Sequence, residues 1–207
     1  MIGSLPGLPV SLAKVAEMLG GFPGVGPKTA LRLSLNLLGR PAADASQLAE
    51  AISELHRNVD FCSQCGCFSE RGRCHFCNST KRNSHLVCIV EQPVDVLMLE
   101  RGGFEGCYHV LHGRLSPIDG IGPENLRLDA LDARIAAGGV HELILATSAT
   151  VDGEATAHFL SGRYSGSSIT ISRISRGVPE GSELEYLDEH TLHRAVSQRV
   201  VWEGHID

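Results

Sequence analysis

The sequence predicts an α/β protein, a mostly parallel sheet domain preceded by a small α-helical region and a zinc module. Three observations carry this. From about residue 85, short apolar runs of β type alternate with helical segments, the order of a parallel sheet covered on both faces. Before residue 59, apolar residues recur at helical spacing. Between the two, residues 60–84 are polar, rich in Cys, Gly, Ser and Arg, and without periodicity, so something other than an apolar core must hold them.

SLAKVAEML (11–19) places Leu12, Val15, Ala16 and Leu19 on one helical face, and Gly20-Gly21 ends the run. PKTALRLSLNLL (27–38) predicts a second helix, with Pro27 suited to its first turn and Leu31, Leu35 and Leu38 on one stripe. A third helix is expected at about 44–58, where Leu48, Ile52, Leu55 and Val59 repeat. Strands are expected at 85–91, 107–113, 141–148 and 167–175, with helices at about 93–101, 128–137 and 153–163. The organisation is then 1–58 helical, 59–84 zinc module, 85–175 sheet domain, and 176–207 a C-terminal segment.

With 207 residues the chain can bury a real core, and 43% hydrophobic with 20% charged residues is the balance of a soluble globular protein. No apolar run reaches membrane-spanning length, and MIGSLPGLPVSLAK lacks the pattern of a secretory leader, so a cytoplasmic protein is expected. Seven cysteines, four of them in pairs, favour metal over disulfides in that compartment. The net charge of −6 is unevenly spread. Residues 1–85 hold nine Lys/Arg against six Asp/Glu, and residues 86–207 hold nine against eighteen. A basic front joined to an acidic back suits two different partners.

GGFPGVGPKT (21–29 with its flanking glycine) has the glycine gap of a phosphate loop. Such a loop must follow a buried strand, whereas a helix precedes this one, and Pro27 removes an N–H where donors are needed. An ATP site is excluded on both counts. What remains is helix, hairpin, helix. Gly24 and Gly26 allow tight turns, and the free N–H groups opening the second helix can bind a phosphate oxygen without reading a base. Lys28 and Arg32, four residues apart, can neutralise neighbouring phosphates. The stretch resembles the helix-hairpin-helix element of DNA repair and replication proteins.

Cys62-Ser-Gln-Cys65 and Cys74-His-Phe-Cys77 form two knuckles that can present four thiolates to one tetrahedral, structural Zn2+, one per subunit. Cys67 is expected to be an unliganded thiol and His75 a surface residue. Arg71, Arg73, Lys81 and Arg82 either extend the phosphate-contacting surface or are merely solvated. Cys88 and Cys107 fall in apolar strands and are expected in the core.

LVCIVEQPVDV ends a strand at Glu91, and LILATSATVDGEATAHFL runs a later strand into Asp152-Gly153-Glu154. The pair resembles the Toprim domain of topoisomerases, primases and some nucleases. In catalytic members a strand-end glutamate handles protons and a downstream Asp-x-Asp holds Mg2+. Here those positions read Ser148-Ala149-Thr150, so both acids are gone and no catalytic residue is assigned.

Taken whole, the chain resembles the RecR family of bacterial recombination mediators. FPGVGPKTALR, the cysteine cluster, IVEQPVDV, YHVLHGRLSPIDGIGP, ILATSATVDGEATA and GVPEGSELEYLDEHTL carry the resemblance. It implies a homo-oligomer, commonly a tetrameric ring able to encircle DNA, that works with RecO and RecF to help RecA replace single-strand-binding protein at gaps. It also implies a Walker-B-like stretch, Leu187-Asp188-Glu189, which without a Walker A loop should not hydrolyse ATP. Glu91, Asp152 and Glu154 are then expected to meet a basic partner, RecO. The departures are Phe22 for a usual leucine, the added Cys67, and Asp152 for a usual glutamate. Two other readings stand beside this one: a Mg-dependent nuclease or topoisomerase-like enzyme using Glu91, Asp152 and Glu154, and a purely protein-binding zinc adaptor.

Overall fold

Three helices make up the described chain before residue 60: α1 (Val10–Gly20), α2 (Pro27–Leu38) and α3 (Ala42–Asn58). A proline opens each, Pro9 and Pro41 as cap residues and Pro27 inside the first turn, where its missing N–H is harmless. α1 and α2 pack through small residues: Ala16 and Ala30 are buried, and the buried Ser34 hydroxyl returns a 2.9 Å bond to the Ala30 carbonyl. The expected apolar stripes are correct as helices but not as core. Leu35, Leu38, Leu48, Ile52 and Leu55 are all at least 46% exposed, and α3 buries nothing. Three short helices have no second layer of their own to cover those faces.

The computed structural model describes residues 7–70 and 72–200; Arg71 and residues 201–207 of the expected C-terminal segment lie outside the described residues. The chain divides into two units after Val59. In the second, β1 (Asp60–Phe61) and β2 (Phe68–Ser69) form a small antiparallel hairpin, followed by α4 (His75–Asn78). The sheet follows as β3 (Asn83–Val90), β4 (Gly106–Val110), β5 (Glu142–Leu145) and β6 (Thr170–Arg173), all parallel, in the order β4-β3-β5-β6. The crossovers are α5 (Pro93–Arg101), α6 (Asp129–Ala136) and α7 (Val151–Tyr164), and α8 (Glu189–Ser197) closes the described chain. No helix among the described residues is long and apolar enough to cross a membrane.

Period-two alternation sorts β3 between two cores. Val87 and Ile89 join Leu143, Leu145, Leu131 and Leu160 on one face. Cys88 and Val90 join Tyr108, Val110 and Val96 on the other, where Cys62, Cys65, Cys67 and Cys74 complete the cluster. The strand order reverses between β3 and β5, and that is where open α/β sheets place functional groups, just beyond the strand ends. Glu91 and Ser148 sit there.

Candidate nucleic-acid interface and metal centre

The hairpin after α1 closes on a Val25 N–H to Phe22 C=O bond of 3.1 Å, with Gly24 at φ +79°, a conformation that costs a side chain dearly. Gly26 precedes α2 in extended conformation and offers no side-chain cap, so the first amides of α2 keep their donors free. A Cβ at Gly24 or Gly26 would meet nothing within 4 Å; the space in front of the turn is open to a ligand. Lys28 and Arg32 are exposed, and neither takes part in an ion pair among the described residues. Helix-end amides and the exposed Lys28 thus lie at the N-terminal end of α2, with the exposed Arg32 four residues further along it.

The four sulfurs of Cys62, Cys65, Cys74 and Cys77 lie within 4.8 Å of one another, the only group of three or more ligating side chains to converge among the described residues. That donor set and its size fit one tetrahedral metal ion. Their crowding sets the thiols against each other: contacts with Cys65 and Cys77 hold Cys74 far below the usual thiol range, and Cys74 in turn pushes Cys65 up. A bound cation would let all four stay ionised. The Cys67 amide donates to Cys65 Sγ at 3.4 Å, while its own thiol is buried, outside the group, and pushed up to about 11 by burial.

The knuckle is fastened to the sheet. The Val110 amide, at the end of β4, donates to the Cys65 carbonyl at 2.7 Å. Gly66 has φ +80°, and a Cβ there would strike His112 Nε2 at 2.8 Å, while His112 itself bonds the Gly66 carbonyl at 2.7 Å. Arg127 spans the carbonyls of Cys62, Ser63 and Gln64. Of the basic residues around the cluster, Arg82 is taken inward: it grips Glu100 with bonds of 2.7 and 2.6 Å and lies 5.0 and 5.5 Å from the Phe76 and Tyr108 rings. Arg73 binds Gln64 and the Cys77 carbonyl, which leaves Lys81 exposed.

At the β3–β5 switch, Glu91 is 5% exposed, so it does not stand at the surface as expected for a residue that meets a partner. Its carboxylate accepts from the Ser148 amide at 2.7 Å and from Arg114 at 3.3 Å. Arg114 also faces Asp152 at 3.7 Å, which puts a guanidinium between the two acids. Ser148 and Thr150 bond each other at 2.7 Å, and Thr150 caps α7 by accepting from the Gly153 amide. Glycine is required there, since a Cβ at 153 would lie 2.3 Å from the Ser148 carbonyl. Glu154 is held by Arg173, Arg176 and Arg194. The three carboxylates therefore do not form a free acidic cluster. Further along, Asp188 is spent on capping α8, its carboxyl held low by the Thr191 hydroxyl and amide.

Sequence reasoning named Arg73 and Arg82 near the cluster but missed five other arginines in these contacts. Arg114, Arg127, Arg173, Arg176 and Arg194 carry no local pattern; their partners lie from 19 to 65 residues away.

Comparison with known proteins agrees with this anatomy. Family models match as "RecR, helix-hairpin-helix" over residues 12–56, "Toprim domain" over 85–175 and "RecR, C-terminal" over 177–200. The chain is 48% identical over 194 residues to the recombination protein RecR of Magnetococcus marinus, covering 93% of this chain and 96% of that one. It is 47% identical over 190 residues to that of Methylococcus capsulatus, with 91% and 96% covered. Against that of Moorella thermoacetica it is 45% identical over 192 residues, with 92% and 96% covered.

Proposed function

The chain belongs to the RecR family of recombination proteins, and from that premise we propose that it is a non-catalytic DNA-binding clamp of recombinational repair. The observation that carries the reading is the open end of α2: uncapped amides beside the unpaired cations Lys28 and Arg32, behind a turn with Gly24 and Gly26. Nothing in that arrangement addresses a base edge, so it suits backbone contact without sequence preference.

The clamp works as a homo-oligomer, with a tetrameric ring as the form proposed. The apolar residues exposed on α2 and α3 favour self-association. In each subunit Cys62, Cys65, Cys74 and Cys77 hold one structural Zn2+. RecO and RecF are its partners in helping RecA load at single-strand gaps, and its place is the cytoplasm. Absence of catalysis is supported at the β3–β5 switch, where Arg114 occupies the space between Glu91 and Asp152, and Ser148 and Thr150 are tied up in the helix cap. Sedimentation of the pure protein with and without gapped DNA tests the reading. A complex that includes several subunits per DNA is expected; a monomer that ignores DNA at low salt would sink it.

A further inference from the structure

The acidic half of the chain contains a place where positive charge is in excess. Arg173 on β6, Arg176 just beyond it and Arg194 on α8 all reach Glu154 on α7. Arg173 does so as a fork, with bonds of 2.7 and 3.0 Å, and Arg194 stands at 3.5 Å. No other acid among the described residues pairs with any of the three. Three guanidiniums thus share one carboxylate, leaving about two positive charges uncompensated in a partly buried place. Burial lowers Arg173 and Arg176 from the usual arginine range, and repulsion from Arg194 adds to this at Arg176. Like charges gathered away from water repel, and a second anion would relieve them.

One of the three, Arg173, also borders open space. A cavity of about 220 Å³ opens between α7 and β6, with Leu145 and Ile171 at its apolar floor and His158, Ser161, Ser172 and Arg173 around it. Arg173 Nε is buried and has no hydrogen-bond partner among the described residues, although buried donors are nearly always paired. An unsatisfied cationic donor thus belongs to a residue that lines an open cavity.

We propose that this cavity is a phosphate site, taking inorganic phosphate or the phosphate of a mononucleotide. A phosphate monoester carries roughly −1.5 to −2 at neutral pH, and its oxygens suit the guanidinium donor that Arg173 presents there. The cavity falls below the roughly 300–1,000 Å³ of whole-ligand pockets, so the phosphate is the recognised part and any attached group extends into solvent. The ligand is small because residues 86–207, with nine Lys/Arg against eighteen Asp/Glu, repel an extended polyanion.

Calorimetric titration of the zinc-loaded, full-length protein at low salt tests this, with sodium phosphate, AMP and adenosine as probes. One phosphate or AMP per chain and no heat from adenosine are expected. Equal affinities for phosphate and AMP assign the site to phosphate alone, and tighter AMP extends it to the nucleotide. Arg173→Gln should weaken binding by roughly tenfold or more, the worth of a charge-assisted hydrogen bond. Arg173 also braces Glu154, so a second variant is needed: Ser161→Glu supplies a carboxylate to the cavity and should fold but no longer respond to phosphate. Absence of heat from phosphate and AMP overturns the proposal, as does unchanged binding in both variants.

Discussion

The Ser148 amide donates to the Glu91 carboxylate at 2.7 Å, joining the end of β3 to the end of β5 across the point where the strand order reverses. With Arg114 on its second oxygen, Glu91 is held at both carboxylate oxygens. Glu91→Gln should lower stability by about 1–3 kcal/mol in denaturant titration, because a buried charged acceptor is lost. No DNA cleavage should accompany Mg2+ or Mn2+ in the parent. Metal-dependent cleavage that copurifies with the protein and vanishes in Glu91→Gln would return the enzyme reading.

Lys28 and Arg32 are exposed and unpaired, so changing them should cost binding and not folding. Lys28→Glu or Arg32→Glu should weaken DNA binding at low salt, leave the circular dichroism unchanged, and reduce the slope of log affinity against log salt by roughly one. Unaltered affinity in a folded Lys28→Glu protein would remove the α2 end from the interface.

Cys74→Ser should lose bound zinc and a large share of stability, since both depend on the closed four-thiolate site. Cys67→Ala should keep one zinc per chain. Because Cys67 is buried, Cys67→Ser is a poorer control, for it buries a hydroxyl in place of a thiol. Elemental analysis of the three proteins decides the ligand set.

His109 is wholly buried, bonded through Nε2 to the Arg127 carbonyl at 2.7 Å. Burial depresses it to about 4, and Arg127, Arg134 and His112 oppose its protonation from neighbouring elements. Between pH 6.5 and 4 the unfolded chain therefore binds more protons than the folded one. Stability should fall as pH drops through that window, by up to about 1.4 kcal/mol per pH unit from this group. Acid also strips zinc, so the measurement is the difference between parent and His109→Gln, both zinc-loaded at the start. A slope identical in the two would show that His109 is not the titrating group.

Much of this was legible from residue spacing. The order of helices, strands and knuckles follows from periodicity, and α2 runs from the Pro27 that marks its start to Leu38. Burial was less legible. Leu48, Ile52 and Leu55 repeat as a core stripe does, but periodicity says only that a face is apolar and not what covers it. Charge was least legible: Glu91 and Glu154 look free in sequence, and only the fold reveals that arginines from β6, α8 and the loop after β4 arrive to meet them.

That last point changes how a partner surface must be tested. Glu154→Lys would set a fourth cation among Arg173, Arg176 and Arg194 and loosen the contacts between α7, β6 and α8. Weaker RecO binding in that variant would not distinguish a lost contact from a disturbed domain. Asp152 is the better probe, because its side chain is 31% exposed and its one ion pair among the described residues, with Arg114, is long at 3.7 Å. Asp152→Lys should leave zinc content and DNA affinity intact while slowing association with RecO, since surface charge of this kind acts on encounter more than on the final affinity. The effect should shrink as salt is raised. Association that keeps the parent's rate at low salt, in a folded Asp152→Lys protein, would remove Asp152 from the proposed RecO surface.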